Sequence, residues 1–392
     1  MIARRKATKS LDYPLMLSVV VLVIFGIMMI FSATFTWKTS TTFVLKQVAF
    51  AVVGFGAMAF MSLIDQHILR RWALPIMGIC VVALVGVLFM GGGGTSSWVS
   101  GASVQPTEFV KLGFIIYMAA WLAPQGGRIR DITYGLIPFA VLLGVVCGLI
   151  VLEPDVGAAV LIAGTALAMF FIAGADIKQL LFSILLGAAV LYILVSALPY
   201  AGDRVRVFID PSSDPLRTGY QIQRILTALR SGGMFGRGLG NGEFKQMLPL
   251  PHTDAIFPVI GEELGMVGCL VVLGVYGLIV WRGMKISINA PDVFSSLLAA
   301  GVSCWIALQA LVHIAGNTAA LPYTGVTLPF VSYGGSSLIM TLAGAGVLLG
   351  VSRVKVDKQV AASTTFAFGR RNRRTRVSRT GRRRGMEAHR RR

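Results

Sequence analysis

Asp254 is the residue with the plainest chemical prospects. Pro251-His252-Thr253-Asp254 stands where a long polar stretch meets an apolar run. A carboxylate at such a junction is partly desolvated, which lifts its pKa toward that of a working base. The same position suits a helix N-cap. His252 reads equally as a hydrogen-bonding structural group and as a catalytic one. Glu108 and Lys111, three residues apart, share a helix face and can pair. Both lie in an apolar run, where an ionisable residue costs ~2.5–3.5 kcal/mol. The pair is either self-neutralising and turned to a bundle interior, or it lines a polar cavity that orients a substrate. Asp155, after Glu153-Pro154, heads another apolar run and is open to the same two readings, as a helix cap or a cavity charge. Glu262 and Glu263 lie about two turns beyond Asp254 and are expected to tie their helix to its neighbours.

Cations gather in the polar stretch before Asp254: Arg204, Arg206, Arg224, Arg230, Arg237 and Lys245. Scattered loop cations are ordinarily solvated. Held above a cavity, they would grip a pyrophosphate, because guanidinium matches phosphate oxygens in pairs. TLPFVSYGGSSL (327–338) has Pro329 to break a helix and Gly334-Gly335 to permit close backbone approach. It offers Ser332, Tyr333 and Ser336 either as substrate contacts or as parts of a packing kink. GGMFGRGLGNG (232–242) lacks the Lys-Ser/Thr end of a phosphate loop and the strand before a dinucleotide site, so it reads as a tight turn. Cys80, Cys147, Cys269 and Cys304 lie in apolar runs without metal-site spacing, and no disulfide or structural zinc is expected.

The elements that must position these residues are set by composition. Of 392 residues, 55% are hydrophobic and 14% charged, and the mean hydropathy is +0.74. These values exclude a disordered chain, a collagen, a coiled coil and an ordinary soluble enzyme. The apolar runs are long and do not alternate, which excludes a barrel. The fold class is all-α, a polytopic membrane protein. Ten spans are predicted at 14–34, 44–64, 72–90, 105–122, 134–152, 155–173, 179–199, 255–281, 293–319 and 331–352. The first is too long for a signal-peptide core and is expected to be retained.

With both termini cytoplasmic, 26 of the 36 lysines and arginines fall on the inner side and nine on the outer, counting there Lys46 at the outer head of the second span, with Lys111 inside the fourth. That orientation makes 1–13 a cytoplasmic N-terminus, 14–352 the membrane domain and 200–254 a large extracytoplasmic loop. In the loop, Ile222, Ile225, Leu226 and Leu229 share one face of a surface helix. The net charge of +19 is a tail property: 353–392 hold fifteen lysines and arginines against Asp357 and Glu387. This tail is expected to be disordered and to lie on anionic lipid headgroups, at ~1 kcal/mol per basic residue. An acidic cytoplasmic partner is a further fit; nucleic acid is disfavoured.

GYQIQRILTALRSGGMFGRGLGNG (219–242), the LPHTDAIFPVIGEELG run from Leu250 and TGVTLPFVSYGGSSL (324–338) resemble the SEDS family of bacterial cell-wall polymerases. QPTEFVKL (105–112), EPDVGAA (153–159) and DPSSDP (210–215) resemble family motifs in the same order. The resemblance covers about residues 12–353. Gly240-Asn241 and Gly261-Glu262-Glu263-Leu264-Gly265 look closer to the members that serve division than to those that serve elongation. The loop before span four departs from the family: Gly94-Thr95-Ser96-Ser97-Trp98 carries no arginine. So do Leu250-Pro251 and Ala255, where the family often has a Glu before the His and a Phe after the Asp.

The resemblance implies a ten-span peptidoglycan glycosyltransferase in the bacterial cytoplasmic (inner) membrane. Its substrate would be lipid II, the undecaprenyl-pyrophosphate-linked disaccharide pentapeptide. Asp254 takes the place of the family's essential aspartate. Glu108, Lys111 and Asp155 match charged positions around its central cavity. Trp98, Arg204, Arg206, His252, Ser332 and Tyr333 complete the expected substrate contacts. The implied partners are a class B penicillin-binding protein and other membrane proteins of the division machinery. A divalent cation, Mg²⁺ or Mn²⁺, would suit the leaving pyrophosphate, but no ligand set is legible. A lipid II flippase and a non-catalytic scaffold for the transpeptidase are the rival readings.

Overall fold

The computed structural model describes residues 11–90, 105–197, 199–210 and 218–353. Trp98, most of DPSSDP and the basic tail beyond Arg353 lie outside them. Among the described residues there is no strand. Twelve α-helices follow in order: α1 Tyr13–Thr34, α2 Ser40–Leu63, α3 Gln66–Met90, α4 Pro106–Leu122, α5 Ile137–Leu152, α6 Val156–Ile172, α7 Ile177–Ala197, α8 Pro199–Ile209, α9 Thr218–Ser231, α10 Ile256–Ile288, α11 Val293–Asn317 and α12 Gly335–Ser352. Eight helical segments are long and apolar enough to cross a membrane: α1, α2, α3, α5 with its preceding π-turn, α7, α10, α11 and α12. The helices at the two remaining predicted spans, α4 and α6, have 17 residues each.

Several boundaries differ from the hydropathy reading. Helix α3 begins at Gln66, because Arg70 and Arg71 lower the local hydropathy without interrupting the helix. Helix α10 runs on to Ile288. The predicted last span begins four residues too early, since α12 starts at Gly335. Helix α8, within the predicted loop, was not anticipated.

Two polar contacts align α1 with α10. Near the start of α1, Asp12 accepts from the Arg282 guanidinium at 2.6 and 2.9 Å. Near its end, the Ser32 hydroxyl lies 2.6 and 2.7 Å from the Glu263 carboxylate oxygens. The two helices therefore run antiparallel in register. On the other side, α2 lies along α12 with almost no space between them. A Cβ at Gly346 would stand 2.3 Å from the Met58 carbonyl oxygen. Helix α7 is the most exposed; an apolar cavity of about 400 Å³ separates it from α5 and α6, lined in part by Leu143, Cys147, Val160, Gly187 and Leu191.

Two irregular stretches shape the end of the bundle that carries Asp254. The first is a break in α10, where Gly265 adopts φ 67° and ψ −166°. The break frees backbone groups, and the glycine-rich loop before it takes them up. The amides of Arg237 and Gly238 donate to the Glu262 and Glu263 carbonyls, both at 3.0 Å. The amides of Met266 and Val267 donate to the Gly233 and Met234 carbonyls at 2.9 and 3.1 Å. Only glycine fits this approach: a Cβ at Gly236 would lie 2.1 Å from the Glu263 carbonyl oxygen.

The second is the connection between α11 and α12, residues 318–334, which runs largely buried without helix. Backbone at membrane depth needs internal partners. Helix α11 supplies His313 to the Val326 carbonyl at 2.7 Å and Gln309 to the Thr327 carbonyl at 3.1 Å. Helix α2 supplies Gln47 to the Ser332 carbonyl at 3.2 Å, and Tyr276 of α10 donates to the Pro329 carbonyl. Gly26 of α1 lets the stretch approach closely, since a Cβ there would meet Val331 backbone at 2.7 Å.

Candidate active site

Asp254 lies two residues before α10, partly exposed, at the tip of the segment following the glycine-rich loop. Its main chain is fixed: the Asn317 side-chain amide donates to its carbonyl at 2.9 Å. The neighbouring residues are held as firmly. The Ser332 hydroxyl donates to the Thr253 carbonyl at 2.7 Å, and the Tyr333 amide donates to the His252 carbonyl at 2.8 Å. The carboxylate itself faces Gly325, where an added Cβ would stand 3.6 Å from Oδ2. Gly325 has φ +70°, a conformation that side chains resist. A glycine there leaves room above the carboxylate.

The electrostatics around Asp254 come from three elements. Burial pushes its carboxyl up to about 7; Arg204 opposes the rise and Asp155 adds to it. Arg204, on α8, is fixed by donating to the Thr324 carbonyl at 3.1 Å. Asp155 caps α6 by accepting from the Ala158 amide at 2.9 Å. Its other oxygen accepts from the Gln105 amide at 3.2 Å, at the head of α4. Asp155 is thus both a helix cap and a charge of the site. Tyr323 also feels Asp254 and Arg204, and its phenol is raised well above the ordinary value, first by burial. A carboxyl near 7 beside one arginine is a base matched to neutral pH.

The other predicted residues divide. His252 is buried against Trp37, Phe43 and Tyr333, with ring centroids 4.7–5.3 Å away. Burial lowers its pKa to about 4, so it is neutral at pH 7. It serves here as part of an aromatic platform under the Asp254 loop. Ser332 is buried, with its hydroxyl also accepting from the Leu328 amide at 2.9 Å. Tyr333 is half-buried. Glu108 and Lys111 form a buried pair at 2.8 Å across the first two turns of α4, the helix headed by the Gln105 that reaches Asp155. Arg206 is exposed, two residues past Arg204. Arg237 pairs with Glu243 at 3.0 Å, and Arg224 lies over the Tyr220 ring. Lys245 overturns the reading of the loop cations as solvated: it is 2% exposed and paired with Glu263. Glu262 and Glu263 tie α10 to the loop and to α1, as expected.

Among the described residues, no group of three or more His, Cys, Asp or Glu side chains is arranged to hold a metal ion.

Sequence reasoning missed Gln105, Gly325 and Glu153. Gln105 and Gly325 stand inside motifs already noted, and only their folding together reveals them. Glu153 is buried with both carboxylate oxygens unpartnered. Burial and then Asp155 raise its carboxyl to about 7 from 4.5. Between those values the unfolded chain releases the proton first, so this residue subtracts stability as pH climbs through that window. Glu153→Gln removes the penalty. Its melting temperature should match the parent near pH 4 and exceed it above pH 7, in thermal melts across that range.

The description "Cell cycle protein", for the FtsW, RodA and SpoVE family, matches residues 13–357. Stage V sporulation protein E of Bacillus subtilis is 38% identical over 359 residues, covering 88% of this chain and 97% of that protein. A probable peptidoglycan glycosyltransferase FtsW of Trichlorobacter lovleyi is 39% identical, covering 87% and 93%. Among solved structures, a chain from "Structural coordination of polymerization and crosslinking by a peptidoglycan synthase complex" aligns with a TM-score of 0.72 at 29% identity, covering 88% and 98%. The rod shape determining protein RodA of Thermus thermophilus aligns with a TM-score of 0.67 at 27% identity, covering 89% and 98%.

Proposed function

The chain belongs to the FtsW, RodA and SpoVE family of cell cycle proteins, and from that premise we propose that it polymerises lipid II with Asp254 as the general base. At the coarser level it is a multi-pass inner-membrane peptidoglycan glycosyltransferase. The finer reading rests chiefly on one observation: a carboxyl near 7, on a backbone held at three successive carbonyls, stands against a glycine and beside Arg204.

In this reading, the 4-hydroxyl of the acceptor's N-acetylglucosamine attacks the anomeric carbon of a second, donor lipid II. Asp254 takes the hydroxyl proton as the new glycosidic bond forms. The bond from the anomeric carbon to the pyrophosphate breaks, and undecaprenyl pyrophosphate leaves. Arg204, fixed beside Asp254, meets the charge that grows on the leaving group. Arg206, Lys111, Glu108 and Asp155 remain proposed substrate contacts, with Asp155 also setting the field at the base. Ten spans, both termini cytoplasmic and the 200–254 loop outside would put this chemistry at the outer surface. Septal synthesis, a class B penicillin-binding protein partner and anionic lipid under the tail complete the proposal. The description of the structure with the 0.72 alignment, which joins polymerization to crosslinking, supports the transpeptidase partner.

The test is incubation of the purified protein with lipid II, with and without the transpeptidase, and detection of glycan on a gel. Polymer is the expected result; a folded, complexed protein that makes none overturns the proposal. The pH dependence gives a second check. The base must be ionised, so the rate falls about tenfold per unit below a limb near 7. Arg204→Gln removes a cation that favours the carboxylate, and should move that limb to higher pH.

A further inference from the structure

We propose that Lys245 is a positioning residue for Asp254, closing by a buried ion pair the loop on which the carboxylate is carried. The proposal rests on the assignment of Asp254 as the base.

A lysine is rarely sunk into a protein without a reason, because its charge must leave water. Here the side chain is 2% exposed and its ammonium has three acceptors for its three protons. Nζ is 2.6 Å from Glu263 Oε1, 3.0 Å from the Gly240 carbonyl and 3.2 Å from the Ser32 hydroxyl. The adjacent Glu262 repeats the tie through the backbone. Its two oxygens accept from the amides of Phe244 and Lys245 at 2.8 and 2.9 Å. Two consecutive carboxylates of α10 thus grip two consecutive residues of the loop.

The chain from Lys245 to Glu262 is therefore a loop of 18 residues tied at both ends. His252, Thr253 and Asp254 lie at its middle. Their carbonyls are caught from the far side by Tyr333, Ser332 and Asn317. With the ends tied, the tip has little slack, and those three hydrogen bonds suffice to hold it. Removing the Lys245 side chain leaves the Glu262 clasp on the backbone as the remaining tie at this end, and leaves Glu263 a buried carboxylate with only the Ser32 hydroxyl as partner. The base stays covalently close but its position is no longer set. A misplacement of ~1 Å costs about 10²-fold in rate.

An ion pair that merely aided folding would be replaceable by apolar side chains of similar size, at no cost to the chemistry. That difference defines the experiment. Lys245→Ala, Lys245→Arg and the double variant Lys245→Met with Glu263→Met are compared per mole of folded protein. The readouts are kcat and KM for lipid II. Independently, Leu248→Cys is placed in a cysteine-free background and its labelling by a membrane-impermeant maleimide is timed. Leu248 lies in the tied segment and is 4% exposed. Lys245→Ala should lower kcat between ~10- and 100-fold with KM within about twofold. It should speed labelling about tenfold, with Lys245→Arg recovering most of both. The double variant, which removes both charges of the pair, should stay folded and still show the kcat loss. Unchanged labelling overturns the tie, and unchanged kcat in a folded double variant overturns the positioning role. Polymer made by Asp254→Asn protein would instead overturn the base assignment, while the labelling result would still report the tie.

Discussion

Asp254→Asn protein should insert, fold and make no detectable glycan. The amide is the same size as the carboxyl and keeps the shape of the site. The hydrogen bond from Asn317 goes to the backbone carbonyl and survives the change. The burial that raises the acid's pKa is a cost of charging it, and a neutral amide avoids that cost. What is lost is the proton acceptor, worth ~10²–10⁴-fold in rate. Size-exclusion profiles and melting temperatures should match the parent, and the polymer gel should be blank. Polymer at wild-type yield would remove Asp254 from the chemistry. Asp254→Glu is a finer probe, because the longer acid must enter the space beside Gly325. It should retain a small fraction of the rate.

The second large effect is on stability. Lys111→Ala strands Glu108, whose second oxygen already lacks a partner, at 4% exposure on α4. Breaking a buried pair from one side costs ~3–5 kcal/mol, because the remaining charge is uncompensated. Most of the variant should be lost from the monodisperse peak after detergent extraction. Glu108→Leu with Lys111→Met removes both charges and should restore the peak. Activity of the double variant then decides between the two readings of the pair. A folded, inactive double variant assigns it to the substrate cavity; a folded, active one makes it self-neutralising filler.

The parts of this protein that were legible in the sequence are those governed by local rules. Burial follows the predicted stripe on α9: Ile222 and Ile225 are buried, while Gln223, Thr227 and Arg230 on the other side are exposed. Apolar runs marked the long helices, because burial in lipid demands little more than length and hydropathy. The placement of Asp254 just ahead of α10 was legible because a polar motif abuts an apolar one. Lys245 was not. Nothing near it in the chain distinguishes a solvated lysine from a buried one, and its partners are brought to it by the break at Gly265. The start of α12 was misplaced for a similar reason. Val331, Ser332 and Tyr333 resemble the head of a helix, yet Phe330 has φ +67° and the stretch is claimed by partners on α2, α10 and α11. Helix α8 escaped because its arginines and Asp203 hide a short amphipathic turn from a hydropathy window.

The break in α10 also sets the natural seams for building chimeras between relatives. Helix α10 begins at Ile256, so the nominal seam between loop and helix is at Ala255–Ile256. A crossover there separates donors from acceptors in four backbone hydrogen bonds, since residues 233–238 pair with residues 262–267 across it. It also parts Lys245 from Glu263. The transplantable cassette therefore runs from Gly232 through Val267, and it includes the first third of the helix as part of the loop.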